Sequence, residues 1–98
     1  MSDLPKVTLL LPVYKAKQTL DDALSDVAAQ RGVAFEALVI LNGPDDGSED
    51  IARRWEARCP QLRVLKSPAQ GIVPALNLGL SQATAPLVAR FDADDRMA

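Results

Sequence analysis

Four short apolar runs alternate along the chain with segments whose apolar residues recur every three or four positions. The runs show no polar alternation, which is typical of strands buried on both faces of a parallel sheet. They are Val7–Leu11, Phe35–Leu41, Leu62–Leu65 and Leu87–Phe91. Because the segments between them have helical length and spacing, we expect one α/β domain over residues 1–98 with a doubly wound, mainly parallel sheet.

Local signals indicate where the helices between these strands begin and end. Thr19 and Ser48 are candidate caps for the first two helices, and the second should end near Arg58. The third should run from about Ile72 to Ala83. Its apolar side is expected to consist of Val73, Leu76, Leu80 and Ala83.

Fold rules for parallel sheets predict how the strands are arranged. Right-handed crossovers and the commonest topology give the order 3-2-1-4, with a crevice where the winding reverses between strands 1 and 4. Three loop-like segments leave the carboxyl ends of strands near that crevice. They are Pro12–Lys15 after strand 1, Asn42–Gly43 after strand 2 and Asp92–Asp95 after strand 4. The topology therefore predicts a ligand site built from these three loops.

Composition excludes several kinds of chemistry within these 98 residues. There is no histidine and one cysteine, so Ser-His-Asp and Cys-His catalysis, histidine metal sites and Cys-rich zinc sites are ruled out. A net charge of −2 argues against general binding to a nucleic acid polymer. With one cysteine, no visible secretory signal and no apolar run of about 20 residues, we expect a cytoplasmic location, or the cytoplasmic face of a membrane in a longer protein.

The acidic segment after strand 4 is a candidate metal site. In an extended chain Asp92 and Asp94 point the same way, while Asp95 points elsewhere or begins a turn. Carboxylates without histidine or thiolate partners favour a hard ion such as Mg²⁺ or Mn²⁺, which shares its coordination with substrate phosphates. The alternative is a solvated acidic turn that caps a following helix.

The other two loops carry weaker signals. The Asn42 amide can pair with the edge of a nucleobase, although Asn-Gly is also a favoured turn pair. Pro12, Val13 and Tyr14 can support a base through backbone contacts and an aromatic face, or Tyr14 can pack at the edge of the core. Both alternatives stay open on these residues alone.

Four segments, in this order and spacing, resemble the amino-terminal half of family 2 glycosyltransferases with the GT-A fold. They are Val7–Tyr14, Phe35–Ile40, Gly71–Ala83 and Leu87–Asp95, the last ending in DADD. The resemblance implies transfer of a sugar from a nucleotide-diphosphate donor, with a UDP-sugar favoured, to a saccharide or lipid-linked acceptor hydroxyl. It also implies inversion at the sugar, Mg²⁺ or Mn²⁺ as cofactor, and a place in polysaccharide biosynthesis.

The resemblance also assigns the site residues. Pro12, Val13 and Tyr14 would lie along the nucleobase. Asn42 would replace an acid that recognises the base. Asp92 and Asp94 would meet the ribose and diphosphate through the metal, with either Asp94 or Asp95 as its main ligand.

This sequence departs from the family pattern at two points. The family often has Asp-Asp-Gly-Ser directly after strand 2, where this chain has Leu41-Asn42-Gly43-Pro44. Either Asn42 replaces the base-contacting acid, or the motif is displaced to Asp45–Ser48. We favour the first because the apolar strand ends near Leu41. An arginine is also common where Leu76 stands, so no phosphate contact is predicted from the third helix.

By the same resemblance, the acceptor site and the catalytic base belong to chain beyond Ala98. We therefore expect a donor-binding half that transfers no sugar alone and has no catalytic residue other than the metal-holding Asp92 and Asp94. One alternative is a sugar nucleotidyltransferase, although Lys15–Lys17 lacks the glycines of its triphosphate loop. Another is a non-catalytic α/β interaction domain. The exposed flank of strand 4 also predicts self-association.

Overall fold

Seven elements alternate between strand and helix in the computed structural model, which describes residues 5–14, 17–29, 34–43, 46–68 and 71–90. The strands are β1 (Val7–Val13), β2 (Phe35–Leu41), β3 (Leu62–Lys66) and β4 (Leu87–Arg90). The helices are α1 (Lys17–Ala28), α2 (Ser48–Arg58) and α3 (Ile72–Gln82). Neighbouring strands are parallel and their order is β3-β2-β1-β4, so the predicted fold class and strand order are confirmed.

The strand register brings the carboxyl ends of three strands to one level. Val13 of β1 pairs with Leu41 of β2, and Leu41 pairs with Lys66 of β3. We call this end of the sheet, marked by Val13, Leu41 and Lys66, the carboxyl rim. On the other side of β1, β4 is paired as far as Leu10 and Arg90, and it runs toward the same rim.

The two faces of the sheet carry separate apolar clusters because successive strand residues point to opposite sides. On one face, Leu9, Leu11 and Val13 of β1 pack with buried residues of α1 and α2. On the other face, Leu10 packs with residues of β2 and α3. Complete burial of one such leucine side chain contributes roughly 1.5–3 kcal/mol to folding.

The face that α3 turns to the sheet differs from the predicted one. Ala75 and Gly79 are buried, whereas Val73 is 64% and Leu80 53% exposed, so the predicted apolar side was wrong at these two positions. The small residues bring the helix close to the strands. A Cβ atom added to Gly79 would lie 2.7 Å from Cδ1 of Ile40 and 2.8 Å from a Cδ atom of Leu10. Close approach of the helix backbone therefore decides which face is buried.

The first two helices do not begin at their predicted caps. Thr19 lies inside α1, which begins at Lys17, and Ser48 is the first residue of α2, whose N-cap is Gly47. One carboxylate serves both helices instead. Asp46 accepts hydrogen bonds from the backbone N–H groups of Ser48 (3.1 Å) and Lys17 (3.3 Å). A group from the loop before α2 thus satisfies donors at the start of two helices, which local sequence signals do not reveal.

β1 continues through Pro12 to Val13, although the apolar run was expected to end at the proline. The carbonyl of Val13 accepts a hydrogen bond from the N–H of Asn42, on the β2 side. Since successive residues of a strand direct their N–H and C=O groups to opposite neighbouring strands, the nitrogen of Pro12 faces the β4 side. The described β1–β4 pairing ends at Leu10 and Arg90, so the proline removes none of its hydrogen bonds. Phe91, the last residue of the predicted fourth strand, lies outside the described residues.

A polar cluster fixes the segment before β4 at the amino end of the sheet. Glu36 accepts hydrogen bonds from the hydroxyl of Thr8 and from the N–H (2.6 Å) and hydroxyl (2.9 Å) of Thr84. Burial raises the pKa of Glu36, but these hydrogen bonds and the charge of Arg63 outweigh it and lower the pKa overall. The ionised carboxylate therefore anchors β4 at the end of the sheet opposite to the carboxyl rim.

None of the described helices is long and apolar enough to cross a membrane.

Candidate functional site

The carboxyl rim joins the loops that leave β1, β2 and β3. The N–H of Asn42 donates to the carbonyl of Val13 (2.8 Å), and the N–H of Ser67 donates to the carbonyl of Leu41 (2.9 Å). Each bond continues the parallel ladder one residue past a strand. The rim is therefore a hydrogen-bonded edge of the sheet from β1 to β3.

The exit of β1 presents one exposed aromatic ring. Val13 is almost fully buried in the cluster beneath α1 and α2, so its side chain belongs to the core and only its backbone faces the rim. Tyr14 is 56% exposed. Its ring is therefore a surface group at the rim, where a planar ligand can reach it, and it is not a member of either apolar cluster.

Asn42 is buried, and its side chain forms hydrogen bonds with a residue 29 positions further along the chain. Its side-chain Nδ2 donates to the carbonyl of Gly71 (2.8 Å), and its Oδ1 accepts the N–H of Gly71 (3.1 Å). The side chain thus holds the residue that precedes α3, while its backbone N–H holds β1. The sequence singled out Asn42 and Gly71 separately, but no spacing rule links an amide to a glycine so far along the chain.

The acidic loop before α2 has a structural role. Besides the two backbone groups, Asp46 accepts a hydrogen bond from the hydroxyl of Ser48 (2.5 Å). The pKa of Asp46 is lowered, first by this hydroxyl and further by the N–H groups of Ser48 and Lys17, although burial opposes the shift. The Asp46 carboxylate is thus engaged with the starts of α1 and α2, and which residue corresponds to the family's base-contacting acid stays a prediction.

Asp92, Asp94 and Asp95 lie outside the described residues, and their predicted role as metal ligands stays a prediction. Over residues 5–14, 17–29, 34–43, 46–68 and 71–90 the structure contains no group of three acidic, cysteine or histidine residues that could hold a metal ion. What is described is the approach to the acidic segment: β4 runs along β1 toward the carboxyl rim, and Asp92 follows Arg90 by two residues.

The sequence profile of Glycosyl transferase family 2 matches residues 8–98. The chain belongs to this family. The predicted resemblance is confirmed, and of the three classes considered from the sequence, a family 2 glycosyltransferase is the one supported.

Among curated proteins, this family 2 chain is 32% identical over 96 residues to the glycosyltransferase AglE of Haloferax volcanii, covering 95% of this chain and 32% of AglE. It is 30% identical over 97 residues to the uncharacterized glycosyltransferase YibD of Escherichia coli, covering 99% of this chain and 28% of YibD. The chain thus spans about a third or less of the length of these relatives.

Solved structures show the same fold. The mannosyltransferase PcManGT of Pyrobaculum calidifontis, in complex with GDP-Man and Mn²⁺, superposes with a TM-score of 0.85 at 28% identity, over 94% of this chain and 28% of that one. Residues 1–349 of TarS of S. aureus, in complex with UDP-GlcNAc, give a TM-score of 0.81 at 23% identity, over 93% of this chain and 27% of that one. The second likeness concerns the fold alone.

Proposed function

We propose that this chain is the donor-binding half of a metal-assisted, inverting glycosyltransferase that uses a nucleotide-diphosphate sugar. The observation that carries the proposal is the carboxyl rim. There the exposed ring of Tyr14 and the buried amide of Asn42 lie on neighbouring loops, and β4 runs toward the same rim before the acidic segment. Ligands of open α/β sheets bind where the winding reverses, and in this sheet that point lies between β1 and β4.

The nucleoside would bind along the exits of β1 and β2. Tyr14 offers an aromatic face for stacking, Pro12 and Val13 offer backbone groups, and Asn42 belongs to the same edge of the site. We favour a UDP-sugar as donor. GDP-Man in the related mannosyltransferase makes a guanine nucleotide the comparison that the experiment must include.

Asp92, Asp94 and Asp95 would hold Mg²⁺ or Mn²⁺. The donor set fits such an ion, because carboxylate oxygens are the ligands that hard dications prefer, and the related mannosyltransferase structure contains Mn²⁺. When bound, the ion would neutralise the negative charge that develops on the departing diphosphate. The residues of this chain would position the nucleotide beside the ion.

The acceptor and the catalytic base would come from outside these 98 residues. The relatives are about three times as long, which leaves room for a second half that binds a saccharide or lipid-linked acceptor. We place the activity in polysaccharide biosynthesis at the cytoplasmic side of the cell. Residues 1–98 alone would bind the donor and transfer no sugar.

Calorimetric titration with UDP and with GDP, each with Mn²⁺ or with EDTA, tests the proposal. We expect binding that requires Mn²⁺ and falls at least tenfold in Asp94→Ala. Asp50→Ala, which removes an exposed carboxylate from the first turn of α2, is the matched control and should bind normally. Equal affinity in EDTA, or unchanged binding by Asp94→Ala, would contradict the metal role. Sugar release from a panel of sugar nucleotides by residues 1–98 would contradict the half-site role.

A further inference from the structure

Leu41 and Asn42, at the end of β2, form hydrogen bonds to Ser67 and Gly71, which lie at the two ends of the connection between β3 and α3. The carbonyl of Leu41 accepts the N–H of Ser67, where the loop begins. The side chain of Asn42 binds Gly71, where the loop ends, through one donated and one accepted hydrogen bond. Two consecutive residues therefore fix Ser67 and Gly71 at the carboxyl rim.

Gly71 has a backbone conformation that makes this attachment specific. Its φ of 116° and ψ of 155° fall in a region that essentially only glycine adopts. Its carbonyl also accepts the first hydrogen bond of α3, from the N–H of Ala75 (3.3 Å). Asn42 therefore holds the residue from which α3 starts, and an amide satisfies both groups because it offers a donor and an acceptor side by side.

Asn42 also connects this loop to the proposed nucleoside edge. Its backbone N–H binds the carbonyl of Val13, next to Tyr14. The same residue thus ties the exit of β1 to the start of α3. Asn42 is only 7% exposed, and one donor and one acceptor of its amide are already used by Gly71.

We infer that Asn42 is a positioning residue for donor binding: it fixes Gly71 at the start of α3 and does not read the nucleobase itself. The inference rests on the proposed function for the identity of the ligand. If the attachment is lost and the native arrangement of Gly71 at the rim falls to about a tenth of the population, the apparent Kd for nucleotide rises about tenfold, equivalent to about 1.4 kcal/mol.

Asn42→Asp separates this role from direct base recognition. Aspartate keeps an acceptor for the N–H of Gly71 but places a second oxygen against the carbonyl of Gly71, so the attachment fails. An acid at this position would still accept a hydrogen bond from a base, as the family pattern implies. Positioning therefore predicts a loss of affinity in Asn42→Asp, and base reading predicts that affinity is kept.

The experiment measures UDP and GDP binding with Mn²⁺ for the wild type, Asn42→Asp, Asn42→Ala and Gly71→Ala, together with hydrogen exchange at the Gly71 amide. Asn77→Asp on the exposed side of α3 is the matched control for the added charge. We expect all three site variants to lose about tenfold for both nucleotides, with an unchanged UDP-to-GDP ratio. The two Asn42 variants should also exchange faster at Gly71.

Three results would overturn the inference: wild-type affinity in Asn42→Asp, a loss confined to one nucleotide, or unchanged exchange at Gly71 in both Asn42 variants. Failure of the proposed function looks different. In that case the wild type binds neither nucleotide, and the positioning role of Asn42 in donor binding is refuted as well. Faster exchange at Gly71 in the two Asn42 variants would still show that the Asn42 side chain holds Gly71.

Discussion

Gly79→Ala should destabilise this domain, although the same change in an exposed helix is stabilising. Alanine is favoured over glycine inside a helix by about 1 kcal/mol. Here the new methyl group would lie 2.7 Å from Cδ1 of Ile40 and 2.8 Å from Leu10, both of which are buried. Overpacking of a buried contact costs about 1–3 kcal/mol. Because two neighbours collide at once, we take the upper part of that range and expect a net loss of about 1–2 kcal/mol.

Urea unfolding followed by the fluorescence of Trp55 measures this change. Trp55 is the single tryptophan and lies in α2, where it packs against the apolar cluster on the other face of the sheet, so a shifted midpoint reports on the whole domain. Asn77→Ala on the exposed side of α3 is the matched control and should stabilise by a few tenths of a kcal/mol. A Gly79→Ala variant that is more stable than wild type would refute the close packing of α3 on β1 and β2.

The remaining predictions concern other parts of the fold. The pKa of Glu36 is lower in the folded state, so the stability it contributes is complete above its unfolded value of about 4.5 and is lost as pH falls through the folded pKa. Below pH 4.5, the loss of stability with falling pH, measured by circular dichroism, should therefore be less steep in Glu36→Gln than in the wild type. An unchanged slope would contradict the role of Glu36 as an anchor. Asp46→Ala should lower the unfolding free energy by about 0.5–2 kcal/mol, since two helices lose a capping acceptor. A thermal unfolding midpoint that matches the wild type within error would contradict the role of Asp46 at both helices. Val88 is 43% exposed on the β4 edge strand, so Val88→Lys should reduce self-association in light scattering at high concentration; a wild-type chain that is monomeric there would disprove self-association.

The sheet could be predicted from sequence because its signals are local. Each unbroken apolar run, such as Phe35–Leu41, indicates a strand covered on both faces, and the helices between such runs require parallel pairing. Strand order then follows from general rules of connection. The carboxyl rim could be predicted for the same reason, since the ends of parallel strands meet at one edge.

The errors arose where tertiary contacts outweighed local signals. Thr19 and Ser48 look like caps, but Asp46 supplies the acceptor for both helices from the intervening loop. α3 buries Gly79 and exposes Leu80 because the distance between helix and sheet matters more than hydrophobicity at that contact.

The strand ends that carry the candidate site residues could be predicted, but the hydrogen bonds among those residues could not. Tyr14 and Asn42 could be placed at the rim from the strand order alone. The hydrogen bond between Asn42 and Gly71 joins residues 29 positions apart and depends on where the fold places the start of α3, which no periodicity encodes. The roles of Asp92, Asp94 and Asp95 stay predictions from the motif and from the family.

Paramagnetic broadening of amide signals by Mn²⁺ in the presence of UDP tests the central claim most directly. If the metal and nucleotide bind at the carboxyl rim, the signals of Tyr14, Asn42, Gly71 and Arg90 should broaden strongly, and those of Thr8, Glu36 and Thr84 at the opposite end should persist. Asp94→Ala should abolish the effect at the rim. Broadening centred on the amino end of the sheet or on the acidic first turn of α2, or broadening at the rim that survives Asp94→Ala, would contradict the account.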